Sequence, residues 1–130
     1  MNHAALNQYK SVGVQSGLTD ATPHQMITML LDGALDRVAS ARGAIQRSEM
    51  ARKGELLGGA IAIIDSMRAS LDYDKGGEIS VNLGMLYDYI EGRLVEANAT
   101  ANTALLDEAS SLLREIKAGW VAIPADVRGV

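Results

Sequence analysis

The chain has 130 residues, no cysteine, 12 basic and 16 acidic side chains, and a net charge of −4. That length suits one domain with a single core, and the lack of cysteine excludes disulfides, thiolate metal sites and thiol redox chemistry. The acidic balance argues against a nucleic-acid binder, which would carry a basic face.

Nothing in the chain reads as a membrane span, since no stretch approaches the roughly 18 apolar residues required. The opening MNHAALNQYKSVGVQSG lacks both a basic start and an unbroken apolar run, so no signal peptide is expected and the chain is read as cytoplasmic. The Asn98-Ala99-Thr100 sequon then has no glycosylation pathway to meet.

Residues 1–21 are rich in Asn, Gln, Ser and Gly, with isolated apolar residues at Leu6, Tyr9, Val12 and Val14. The plainer reading is a loosely ordered terminus. The sharper one is a back-folding segment whose anchors, Leu6 and Tyr9 above all, plug a groove on the following domain.

Helical signals begin at Thr22-Pro23-His24-Gln25. Thr22 can cap the free amides, Pro23 suits the first helical position, and Gln25 sits where a capping box requires it. Ile27, Leu31, Ala34, Val38, Ala41 and Ile45 then follow at steps of four and three, the spacing of one helical stripe. A second helix is expected from about Ser48–Ala51, with the stripe Leu57, Ala60, Ile64, Met67 and Leu71, ending before Gly76-Gly77. A third runs from about Glu78 to Ala99, with Ile79, Leu83, Leu86 and Ile90 facing inward. Asn102 or Thr103 caps a fourth, striped by Leu105, Ala109, Leu112 or Leu113, Ile116 and Trp120, and Pro124 stops it.

Four helices of about 20 residues, each about 30 Å long, joined by short links predict an all-α, antiparallel up-down four-helix bundle. Its expected extent is 22–123, followed by a short tail at 124–130.

Apolar residues remain beside these stripes. Met26 and Leu30 flank the first, Leu56, Ile63 and Met67 the second, and Met85 and Tyr89 the third. A wide core stripe accounts for such residues one at a time. As a set, rich in adaptable methionine, they also read as a second apolar face for a partner. Glycines inside the expected helices, among them Gly58, Gly59, Gly84 and Gly92, each cost about 1 kcal/mol against alanine, a cost usually tolerated where another backbone comes close.

Catalytic and metal patterns are missing. A carboxylate-bridged metal bundle needs Glu-x-x-His pairs, and neither His3 nor His24 follows a glutamate by three positions. Asp72-Tyr73-Asp74-Lys75-Gly76-Gly77-Glu78 fails as a calcium loop, because its fifth position is Gly76 and its twelfth is Leu83. A helix C-cap at Gly76 or Gly77 accounts for it better. No cofactor and no enzymatic activity are expected.

Taken together, Tyr9, Thr22-Pro23-His24, Met29-Leu30-Leu31-Asp32-Gly33-Ala34, Leu71 through Ile79, Asn82-Leu83, Leu86-Tyr87-Asp88-Tyr89, Arg93-Leu94 and Ala97-Asn98 resemble the flagellar secretion chaperone family in order and spacing. The lysine–glycine–glycine–glutamate turn followed by Leu86-Tyr87-Asp88-Tyr89 is its most specific part. Thr22 stands where the family usually has serine, a swap that keeps the cap, and the tail after Trp120 carries no part of the likeness. The resemblance implies a non-enzymatic holding chaperone that binds the disordered C-terminal segment of flagellin. It would prevent premature polymerisation and assist delivery to the type III export apparatus, and would serve other flagellar export or regulatory proteins as further partners. On that reading Leu6, Tyr9, Met26, Leu30, Leu56, Ile63, Met67, Met85 and Tyr89 form the flagellin-binding set. The alternative is a scaffold or regulator that homodimerises through the same flank.

Overall fold

A computed structural model of the chain describes residues 21–124. Its elements are α1 (Pro23–Gln46), α2 (Met50–Ala69), the single turn α3 (Tyr73–Gly76), α4 (Glu78–Thr100) and α5 (Thr103–Val121). No strand occurs among the described residues. None of the described helices is long and apolar enough to cross a membrane.

The capping signals act as their chemistry requires. Thr22 Oγ1 accepts from the Gln25 amide at 3.1 Å, and Gln25 Oε1 accepts from the Thr22 amide at 2.8 Å, which closes the capping box that starts α1. Asn102, not Thr103, caps α5, its side chain accepting from the Ala104 amide at 3.0 Å.

Each long helix packs against two others, α1 on α2 and α5, and α4 on α2 and α5. Cross-links give the directions. His24 meets Trp120 while Arg42 meets Asp107, so α1 and α5 run antiparallel. Lys53 reaches Asn98 while Arg68 reaches Asp88, so α2 and α4 do too. The three-residue link between α1 and α2 and the two-residue link between α4 and α5 leave those neighbours little choice but to reverse as well.

The core is filled from all four long helices by Leu31, Val38, Leu57, Ile64, Met67, Ile90, Leu94, Leu106 and Leu113, all fully buried. Each such side chain contributes about 1.5–3 kcal/mol relative to exposure. In α5 the stripe is Leu106, Ala109, Leu113 and Ile116, with Leu105, Leu112 and Trp120 at its margin. Ile27 and Ile45 of α1 lie at the margin as well.

Two sequence expectations are corrected. The second helix does not run on through Leu71: it stops at Ala69, and Asp72 restarts the chain as α3 by accepting from the Lys75 amide at 3.0 Å. A short polar side chain that can cap a new turn competes with continuing the old helix. Gly77 then reverses the chain at φ +51° and ψ −125°, a conformation that side chains oppose.

The inward face of α4 is also different. It consists of Ser80, Gly84, Tyr87, Ile90, Leu94 and Ala97, whereas Ile79 lies outside and Leu83 and Leu86 only at the margin. Part of the reason is α3. Ser80 Oγ donates to the Asp72 carbonyl at 2.9 Å, and a Cβ at Gly84 would stand 3.1 Å from the Tyr73 hydroxyl. Small residues at 80 and 84 let the turn seat on this face of α4.

Candidate functional site

The rotation of α4 places apolar residues in solvent. Val81, Met85, Asp88, Gly92 and Val95 follow at steps of four, three, four and three, one stripe opposite the buried one. Met85 is 66% exposed and Val95 57%. Tyr89 flanks the stripe, whereas Ile79 is exposed at the first turn on the far side of the helix. Among the described residues, the exposed large apolar side chains are concentrated on this helix, the others being Met50, Tyr73 and Val121. Val81 and Met85, one turn apart, form the apolar part of the stripe, with Val95 beyond Asp88 and Gly92; exposed apolar groups on a domain that has otherwise buried its core suit an interaction surface.

Tyr89 is held at the α4–α5 edge. Its hydroxyl donates to Glu108 Oε2 at 2.7 Å and accepts from Arg93 Nε at 3.0 Å. The Arg93 guanidinium lies 5.0 Å from the ring centroid, within the range of cation–π attraction. One face of the ring is thus covered by its own helix while the residue stays 42% exposed. An aromatic held in this way offers apolar area with little rotamer entropy left to lose on binding.

At the opposite edge, Arg68 of α2 forms ion pairs with Asp65, Asp88 and Glu91. The Tyr89, Arg93 and Glu108 network thus lies along one side of the stripe, and the Arg68 network reaches into it through Asp88. No group of three or more metal-ligating side chains occurs among the described residues. The arrangement offers an apolar surface of the kind against which a helix or chain segment can pack.

The sequence-derived set divides in three. Met85 and Tyr89 lie on the exposed face. Met26 and Leu56 are partly buried against the core, and Leu30, Ile63 and Met67 are core residues, Met67 only 1% exposed. The structure therefore does not bring Leu30, Ile63 and Met67 to an open surface. The buried arc of α2 is wide because α1 and α4 flank it on both sides. Leu6 and Tyr9 lie outside the described residues. The glycines do not admit a neighbouring backbone either: the side chain of Arg37 lies over Gly59 and that of Tyr73 over Gly84, while Gly58 and Gly92 face open space. Ile79, Val81 and Val95 were missed as surface residues; the recurrence of 81, 85, 88, 92 and 95 was the available signal.

Comparison with known proteins accords with this picture. The family model described as flagellar protein FliS matches residues 5–127. The chain is 48% identical over 119 residues to the flagellar secretion chaperone FliSB of Pseudomonas aeruginosa, spanning 92% of this chain and 94% of that protein. It is 38% identical over 122 residues to flagellar secretion chaperone FliS of Vibrio cholerae, covering 94% and 90% of the two chains. To the same-named protein of Salmonella typhimurium it is 40% identical over 121 residues, covering 92% and 90%. Matched along nearly its whole length, this helical chain belongs to the FliS family of flagellar secretion chaperones.

Proposed function

We propose that this protein holds the disordered C-terminal segment of flagellin in the cytoplasm, keeps it from polymerising and hands it to the flagellar type III export apparatus. The observation that carries the reading is the exposed stripe Val81, Met85 and Val95 on α4, with Tyr89 at its edge. A segment that folds on binding has no core of its own and needs a complementary apolar surface. Met85 suits such a surface because its flexible, polarizable side chain adapts to an incoming helix. Met26 and Leu56 extend the candidate surface at the bundle margin, and Leu6 and Tyr9 are candidates to cover it when no client is bound. Leu30, Ile63 and Met67 enter client binding only if the bundle rearranges.

Calorimetric titration with flagellin, whole and without its C-terminal disordered segment, tests the proposal. The expected result is binding to the whole protein alone, with a large negative heat-capacity change. Met85→Glu and Val95→Glu are expected to weaken it at least about tenfold, or about 1.4 kcal/mol, and to leave the bundle folded, whereas Met67→Glu unfolds it. Equal affinity of the two flagellin forms, or client-free self-association through the α4 face, would sink it.

A further inference from the structure

We infer that Glu91 carries a proton that closes the α2–α4 seam, and that the seam weakens when the proton leaves. The seam is short of cations. Asp65 and Arg68 come from α2, Asp88 and Glu91 from α4, and Arg68 is the one cation among these four groups. Its guanidinium bonds Asp65 and Asp88 directly and stands 3.6 Å from Glu91 Oε2. The Glu91 side chain is only 16% exposed, and its Oε1 is shut off from solvent with no donor in reach. A buried carboxylate oxygen with no donor is costly.

The neighbour it does have is the Asp65 carboxyl, itself an acceptor. Two acceptors are reconciled when one carries a proton, as in carboxyl pairs that share a site. Burial, foremost, and then the Asp65 carboxyl push the Glu91 pKa up to about 7, against a smaller opposing pull from Arg68, with Asp88 adding to the rise. Among the described residues, α3 and α5 contribute no charged group that acts on Glu91.

The sign follows from linkage. An unfolded glutamate ionises near 4.5, whereas the folded one holds its proton to about 7. The stabilisation is therefore complete below the unfolded value and is lost as pH rises through about 7. The seam lies along one edge of the exposed stripe, four residues from Val95, so this loss falls beside the candidate binding face.

Urea unfolding of the full chain and of Glu91→Gln, from about pH 5 to about pH 8, tests the inference. Relative to Glu91→Gln, the folding constant of the native protein is expected to fall about tenfold or more across that range, and Asp65→Asn is expected to flatten the dependence. A carbon NMR titration of the Glu91 carboxyl in the native protein gives a direct reading that needs no variant to fold. Parallel pH profiles for the native protein and Glu91→Gln, or a Glu91 carboxyl that titrates in the ordinary glutamate range, would overturn it.

Discussion

His24 and Trp120 clasp the bundle where α1 begins and α5 ends, 96 residues apart in sequence. Their rings stack at 4.8 Å with an interplanar angle of 9°. The indole Nε1 donates to the His24 carbonyl at 2.9 Å, and His24 Nε2 lies 2.6 Å from the Trp120 carbonyl. A carbonyl only accepts, so Nε2 carries the hydrogen. Trp120 donates from its side chain to the backbone of His24, and His24 does the reverse.

Replacing His24 with alanine removes one of the two hydrogen bonds and the stack while leaving the His24 carbonyl for the indole. The expected loss is about 1–2 kcal/mol, from one net hydrogen bond and one aromatic contact. Trp120 is the chain's single tryptophan, so its fluorescence in urea reads both the stability and the loosening of this end.

Ala101 ends α4 in the left-handed conformation, at φ 53° and ψ 36°. A side chain there costs about 1–2 kcal/mol, and glycine would relieve it at the expense of about 0.4–1 kcal/mol of added unfolded-state freedom. Ala101→Gly is therefore expected to raise stability by up to about 1 kcal/mol, visible as a higher midpoint in thermal unfolding. A lower midpoint would show that the methyl group packs usefully.

Lys53 is buried at 9% exposure, and its Nζ donates to the Asn98 carbonyl at 2.7 Å. That carbonyl is among the last four of α4, which have no partner within the helix, and a cation there also meets the negative end of the helix dipole. Lys53→Met keeps most of the stem's packing and removes the donor. A loss of about 1–3 kcal/mol is expected, the range for a charged hydrogen bond, measured by denaturant unfolding with little change in m-value.

Tyr87 is buried, and desolvation pushes its hydroxyl up to about 12 from an ordinary 10.0. The unfolded chain loses that proton first, so stability is expected to fall as pH rises between those two values. In an ultraviolet titration of the four tyrosines, Tyr87 should ionise last, together with unfolding. Tyr87→Phe should weaken the pH dependence of unfolding in that window; an unchanged dependence would assign it to other groups.

The class of fold and the starts of α1, α4 and α5 were legible because they rest on local chemistry. Thr22 with Gln25, Asn102 before Thr103 and Gly77 at positive φ each satisfy backbone groups within a few residues, whatever the rest of the chain does. The centre of the α1 stripe, Leu31, Ala34, Val38 and Ala41, was legible too, though Ile27 and Ile45 fall at its margin and Leu30 joins the core. So was the absence of thiol chemistry, which composition alone decides.

The rotation of α4 was not legible. Its sequence is apolar on more than one side, with Ile79, Val81, Leu83, Met85, Leu86 and Ile90 offering competing stripes. Which stripe is buried depends on the packing of α4 against α2 and α5 together with the contact of α3 on Ser80 and Gly84. The same holds for Leu30, Ile63 and Met67: periodicity places them beside the stripe, but two flanking helices widen the buried arc enough to enclose them. The Glu91 cluster and the His24–Trp120 clasp join residues from different helices, so neither has a local signature. Caps and turns are settled by neighbours in sequence. Which face meets solvent, and which charge is left short of a partner, depends on neighbours in space.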